Sequence, residues 1–252
     1  MNLIIAFLTI AFGLLGACFS FEEGAKRAEE QAILAEDRSP ADREDGLNHA
    51  GWKLWTRSLT VQESLHARGF WFLWITWAFA GAAGVAMVTL STAWGLSRGF
   101  GLESAIIILT AFNLTNGVGR LFSGYFSDIV GRNRIMSATF LAAEIAYFVL
   151  PWAGGLVASA FLASVVGFAF GTLFAVSAPL VADCFGLEHF GAIFGLAFAA
   201  YGFVAGPLGP TLAGYLLDAT GSDFFPFFLY LGIFCLLSAG FIRFVVPPAA
   251  DQ

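Results

Sequence analysis

Charge is the first thing this sequence lacks. Lys, Arg, Asp and Glu make up 12% of its 252 residues, about half the share of an ordinary globular chain, which excludes a soluble enzyme, a nucleic-acid binder and a disordered tail. There is no basic excess: the net charge is -6, whereas a surface for polyanions needs a basic stripe. Cysteine is rare. Cys18, Cys184 and Cys235 lie far apart, in or beside apolar runs, and read as small apolar residues rather than a disulfide framework or a metal cluster. His49, His66 and His189 sit in polar segments without metal-ligand spacing. No G-x-x-x-x-G-K loop occurs, so no ATP-driven step is encoded, and no enzyme constellation and no cofactor or metal site is read from the chain. Lysine occurs only at Lys26 and Lys53, outside every apolar run, which excludes a retinal pigment.

What is present is apolar. The hydrophobic share is 58%, with 29 Phe, and the mean hydropathy is +0.79. A bilayer core of ~30 Å needs ~20 apolar helical residues per crossing. Seven runs with little or no charge reach about that length, near 1–20, 70–92, 104–126, 136–153, 155–182, 190–217 and 224–246. They predict an all-α integral membrane protein with seven transmembrane helices. The first run ends in Leu15-Gly16-Ala17-Cys18, which resembles a lipoprotein cleavage box, but no Lys or Arg precedes Lys26. A secretory signal would carry a basic start, so the run is taken as a retained span.

Residues 21–69 hold 7 of the 12 Lys+Arg and 10 of the 18 Asp+Glu. The segments are therefore a first span at 1–20, a charged linker at 21–69, a six-helix block at 70–247 and a tail at 248–252. The linker is a solvated connector, with a short helix around Glu22 to Asp37 as the alternative. The positive-inside rule places it in the cytoplasm with Arg132, Arg134 and Arg243, leaving Arg98 outside and Arg120 within a span. The chain is then a multi-pass protein of the cell (inner) membrane, starting outside and ending inside. One span, a long charged loop and six further spans is the layout of a twelve-span carrier from its sixth helix onward, since such carriers join two six-helix bundles by a long cytoplasmic loop. The expected partners are the lipid bilayer and an N-terminal half encoded elsewhere or missing, and no nucleic acid.

Two segments carry distinctive residues. In the first, Gly117 to Arg134, the pattern G-x-x-x-D-x-x-G-R-x-R falls on Gly124, Asp128, Gly131, Arg132 and Arg134. Gly124 would let a neighbouring helix approach, Asp128 would accept bonds from the amides of a helix N-terminus, and Arg132 and Arg134 would meet carboxylates or lipid phosphates. The cluster reads as a cytoplasmic gate, or simply as a positive anchor. In the second, Gly206, Pro207, Gly209, Pro210 and Gly214 combine lost backbone donors with close-packing positions. This is a bending helix, or ordinary transmembrane packing.

The first pattern resembles the signature loop of the major facilitator superfamily. Within it the chain is similar to the oxalate/formate antiporter group and the related monocarboxylate transporters, on Asn116-Gly117-Val118-Gly119-Arg120, Ala182-Asp183-Cys184-Phe185-Gly186, Phe190-Gly191-Ala192-Ile193-Phe194-Gly195, Ala200-Tyr201-Gly202 with Gly206-Pro207, and Asp218-Ala219-Thr220-Gly221-Ser222. The resemblance covers roughly residues 50–247 and implies helices 6–12 of such a transporter, that is, secondary transport of a small organic anion by alternating access. It also implies that Arg120, in the eighth helix and four residues after the polar Asn116, binds the substrate carboxylate. Group members that carry a dianion place a lysine before a glycine in the eleventh helix, where this chain has Tyr201 before Gly202.

The residues support that site independently. A charged side chain inside a span normally faces a cavity, a ligand or a counter-charge. Arg120 lies eight residues from Asp128, ~12 Å at the helical rise. Asn113, Asn116 and Arg120 at i, i+3 and i+7 form one stripe, and a guanidinium grips a carboxylate bidentately. Tyr201 and Phe174 are further cavity candidates, or packing residues. An Arg120–Glu144 pair would satisfy both charges without substrate, and Glu144 as a proton carrier is a lesser alternative. Trp71, Trp74 and Trp77 read as an interfacial belt and helix packing. The competing functions are a truncated, non-transporting or receptor-like membrane protein, and a carrier of another substrate class.

Overall fold

The computed structural model describes residues 58–221 and 223–246. They belong to the second of two compact units, Arg57–Gln252. The expected span at 1–20, the linker as far as residue 57, the helix around Glu22 to Asp37 and the tail at 248–252 lie outside the described residues. Every regular element described is helical: α1 Val61–His66, α2 Arg68–Ser97, α3 Leu102–Val130, α4 Arg132–Val149, α5 Leu156–Phe185, α6 Phe190–Ala200, α7 Gly206–Ala219 and α8 Phe225–Phe241. A π turn, Tyr201–Ala205, joins α6 to α7, and 3-10 turns extend α4 and α8. Six helical stretches are long and apolar enough to cross a bilayer, one for each of the last six apolar runs. Five of them overrun their runs by a few residues at one or both ends, because a helix continues past the hydrocarbon edge, and the last, Phe225–Phe244, lies within its run.

The last residues of the expected linker are ordered on the bundle. Thr60 and Glu63 form a reciprocal capping box at the start of α1, with the Thr60 amide donating to Glu63 at 2.8 Å and the Glu63 amide to the Thr60 hydroxyl at 3.3 Å. The Leu59 amide donates to the Phe185 carbonyl at the end of α5 at 2.9 Å.

Helix α2 is the hub, packed against α3, α5, α6, the π turn, α7 and α8. Of its most apolar stretch 61% is buried, against 22% in both α3 and the α6–α7 span, so these two spans form the open face of the bundle. Because lipid is as apolar as a leucine side chain, helix pairing in a membrane rests on close packing and interhelical hydrogen bonds. The most extensive pair, α3 on α5, shows both. A Cβ on Gly167 would collide with the Phe112 carbonyl and one on Gly171 with the Asn116 carbonyl, while one on Gly119 would lie 2.6 Å from the Phe168 carbonyl oxygen. The Thr115 hydroxyl donates across this seam to the Ser164 carbonyl at 2.8 Å. Elsewhere the hydroxyl of buried Tyr147 donates to Ala83 at 2.8 Å and Ser137 to Ala239 at 2.9 Å. Other buried hydroxyls, Ser91 excepted, bond back to the chain three or four residues before them, as Thr76 does to Phe72 and Ser238 to Phe234.

Gly171→Ala should therefore force α3 away from α5 and cost about 1–3 kcal/mol, the usual penalty of overpacking. Gly117→Ala, whose Cβ would meet nothing within 4 Å, should be neutral or slightly stabilising. Thermal unfolding in detergent compares the two; equal melting temperatures would remove the seam from the account.

Candidate functional site

The glycine seam places Arg120. At Gly171 the backbones are so close that a Cβ there would lie 3.1 Å from the Arg120 amide nitrogen. Phe174, one helical turn further along α5, then falls beneath the arginine side chain, with the guanidinium carbon 4.7 Å from its ring centroid. Such a cation–π contact contributes about 0.5–2 kcal/mol. Arg120 is exposed on the open face and makes no hydrogen bond or ion pair with any described residue. Phe174 meets Tyr201 at 5.3 Å and Phe170 at 5.1 Å, both nearly edge-on. Arg120, Phe174 and Tyr201, from three different elements, are thus brought together. Asn113 is exposed and Asn116 half-buried on the same α3 stripe, and neither side-chain amide bonds to a described residue.

The Arg120–Glu144 pair is not formed. Glu144 shares a face of α4 with Ser137, which bonds to Ala239 of α8, and with Phe148, whose ring lies over Gly232 of α8. It is turned toward α8, while Arg120 leans on α5.

Tyr201 owes its place to the break in the α6–α7 span. Pro207 has no amide for the Phe203 carbonyl and Pro210 none for Gly206, and the chain widens into the π turn just before them, a local form frequent at functional sites. Gly81 of α2 admits the tyrosine, since a Cβ there would lie 3.1 Å from the ring. A Cβ on Gly209 would collide with the Ala82 carbonyl, as expected of a packing glycine, whereas one on Gly206 would make only an ordinary contact, 3.5 Å from the Tyr201 carbonyl oxygen. Gly214 departs from expectation: a Cβ there would meet no described atom within 4 Å, because five residues turn it about 140° from the packed face of Gly209 and buried Ala213.

The tryptophans read together as belt and helix packing divide between the two roles. Trp71 is 49% exposed and donates to the Leu65 carbonyl at 2.9 Å, as a belt residue would. Trp77, two helical steps of three further on, is fully buried. It packs edge-on against Phe174 at 5.1 Å, Phe198 at 5.0 Å and Tyr201 at 5.9 Å. Its indole N–H finds no acceptor among the described residues. Nothing in the even tryptophan spacing distinguishes it from Trp71.

At the end of the bundle where α3, α4 and α5 meet, Arg132 joins all three. Gly131, with φ of 105°, is the single residue between α3 and α4, and only a residue without a Cβ adopts that value without strain. This tight turn sets Asp128 one helical turn before Arg132, at 3.1 Å from its guanidinium. Arg132 also pairs with Asp183 at the end of α5, through Nε and, at 3.5 Å, through Nη2. Both carboxylates are partly exposed, so each pair contributes up to ~1 kcal/mol. Two expectations are corrected. Asp128 binds a guanidinium and not the amides of α4, and a Cβ at Gly124 would meet nothing within 4 Å, the close contact lying instead at Gly119. Arg134 is exposed and unpaired among the described residues. Asp183 was absent from the expected gate, although it stands in one of the segments that carry the resemblance and closes a long apolar run.

A family model, that of the Major Facilitator Superfamily, matches residues 1–171 and again 103–252. Curated relatives include an MFS-type transporter of Gibberella moniliformis, 29% identical over 160 residues, which is 63% of this chain and 38% of the relative. The oxalate:formate antiporter of Oxalobacter formigenes is 27% identical over 190 residues, 73% of this chain and 44% of that protein. An MFS-type transporter of Penicillium rubens is 30% identical over 128 residues, 49% of this chain and 22% of the relative. The chain spans less than half the length of these relatives. Matches that together run its whole length, on a bundle of membrane-length helices, show that the chain belongs to the Major Facilitator Superfamily of membrane transporters.

Proposed function

We propose that this chain forms one wall of a secondary carrier for small organic anions, corresponding to helices 6–12 of a twelve-span transporter, with Arg120 as the carboxylate anchor. The observation that carries the reading is the Arg120 guanidinium itself, exposed on the open face, backed by Phe174 beside Tyr201 and held by no carboxylate among the described residues. A fork of N–H donors in that setting suits a carboxylate, with Asn113 and Asn116 able to bond the rest of a small anion. The printed name of the Oxalobacter formigenes relative, an oxalate:formate antiporter, favours the same substrate class.

The open face fits a second six-helix bundle, in the proposal an N-terminal half. Leu114, Leu121 and Phe203 are 68%, 76% and 84% exposed on the α3 and α6–α7 spans, and an alternating-access cavity needs an opposite wall. Residues 1–20 would supply the sixth helix, 21–69 the cytoplasmic linker, 70–247 the bundle and 248–252 a cytoplasmic tail, with the N-terminus outside the cell membrane. The Arg132 junction would then latch the cytoplasmic end, and the interrupted α6–α7 span would bend during rocking.

In a carrier assembled from this chain and a complementary half, Arg120→Lys keeps the charge without the fork. It should weaken anion binding about tenfold or more, at the cost of one charge-assisted hydrogen bond, and Arg120→Gln should abolish it. Normal labelled-anion uptake by the glutamine variant would remove the anchor. Asp128→Asn and Asp183→Asn should change turnover while equilibrium binding stays within about twofold, since they act on which conformer is populated; a defect confined to affinity would count against a latch.

Selectivity follows from charge. Arg120 is the one cation deep in a described span, and Tyr201 brings none, so a second carboxylate would be left unpaired at a cost of several kcal/mol. Formate or lactate should displace a labelled monocarboxylate at lower concentration than oxalate does, and the reverse order in competition binding would overturn the preference.

A further inference from the structure

At the end of the bundle opposite the Arg132 junction, the loops between spans enclose a cavity of about 330 Å³ lined by Trp94, Ser97, Arg98, Pro151, Trp152, Asp223, Phe224 and Phe225. It holds one cation and one anion that do not pair with each other among the described residues. Each is fixed by a single bond and keeps further capacity. Arg98 donates from Nη2 to the Ala153 carbonyl at 2.9 Å, leaving the rest of the guanidinium fork. One Asp223 oxygen accepts the Phe225 amide at 2.9 Å at the start of α8, leaving the other. Arg98 is also the one basic residue that charge asymmetry assigns to this side, and the transport reading makes no use of it.

The cavity continues into the membrane-facing seam between α4 and α8. A second, apolar cavity of about 150 Å³ shares Pro151, Trp152 and Phe225 with the first and adds Tyr147, Phe148 and Leu229. Trp152 and Phe225, with rings 5.6 Å apart and edge-on, stand where the two meet. Trp152 is 69% exposed, as an interfacial aromatic is. A charged pocket at the bilayer surface leading into an apolar groove along two spans has the shape of an amphiphile, and its two unmatched charges have the pattern of a zwitterion.

We propose that this is a lipid site for phosphatidylethanolamine, with the phosphate on Arg98, the ammonium on Asp223 and the start of an acyl chain in the groove beside Phe148 and Leu229. Guanidinium and phosphate pair through parallel N–H donors. The primary ammonium supplies N–H donors to the free Asp223 oxygen, which the neutral head of phosphatidylglycerol cannot match with a charge.

The test is native mass spectrometry of the full chain released from detergent micelles doped with equal amounts of phosphatidylethanolamine and phosphatidylglycerol. The wild-type chain should retain the former in clear excess. Asp223→Asn keeps an acceptor for the Phe225 amide, and Arg98→Gln removes the charge while leaving a polar N–H donor on the exposed end of α2. Each should lower retained phosphatidylethanolamine about tenfold, the loss of one charge-assisted contact, and Asp223→Asn should also erase the preference between the two lipids. Leu229→Trp, which fills the groove, should reduce retention of both. Glycerophosphoethanolamine, the same head without chains, should not compete. Equal retention of both lipids by the wild-type chain, undiminished retention by both charge variants, or full competition by the chainless head would each overturn the proposal, the last in favour of a soluble zwitterion.

Discussion

The backbone of α3 lies directly on that of α5 because Gly167 and Gly171 put no side chain between them, and the candidate site on the open face depends on that approach. In hydrocarbon, apolar surface gains little by leaving lipid for protein, so two helices associate to the extent that their atoms come close and their polar groups pair. The seam provides the first through its glycines and the second through Thr115 and the Ser164 carbonyl. It also fixes the rotation of α3, which turns Arg120 over Phe174 and leaves Asn113 and Asn116 on the same stripe. An arginine on a freely rotating helix would snorkel or seek a carboxylate. Here it is held against an aromatic ring, with its donors available.

The aromatic cluster under the arginine is a second consequence of close backbone contact. Gly81 and Gly209 bring the interrupted α6–α7 span against α2, and the π turn between its halves delivers Tyr201 to the same ring system as Trp77 and Phe174. Two prolines make that interruption tolerable, because a helix already short of two donors loses less by widening at this point than an unbroken one would. The site is thus assembled from three spans, each positioned by a glycine at its crossing. The two ends of the bundle differ in kind. At one, Arg132 binds two carboxylates and ties three helices together; at the other, Arg98 and Asp223 share a cavity without pairing.

The number and extent of the described spans were legible in the sequence, since crossing a bilayer is a one-dimensional requirement: ~20 apolar residues in a row. So was the stripe Asn113, Asn116, Arg120, which follows from the helical period alone. These relations are local and survive without knowledge of which helix lies beside which. Where pattern reading failed, it failed over neighbours. Gly124 and Gly119 look alike as small residues on one helix, yet Gly119 meets α5 and Gly124 meets nothing described, because five residues turn it about 140° away from the face on which Gly119, Ser123 and Ser127 are buried. Trp71 and Trp77 belong to one even spacing read as belt and packing together, and only the neighbours decide that Trp71 is exposed and Trp77 buried beneath Phe174 and Tyr201.

What the sequence alone determined is therefore the class: an apolar, helical, multi-pass chain with a charged junction and one arginine deep in a span. Tertiary structure decided the partners. It gave Arg120 to Phe174 and not to Glu144, Arg132 to Asp183 across 51 positions, and Trp77 to the aromatic cluster. Hydropathy and period describe a helix's own axis and faces, whereas pairing depends on the crossing points between helices, and those are set by where two backbones can approach closely enough to touch.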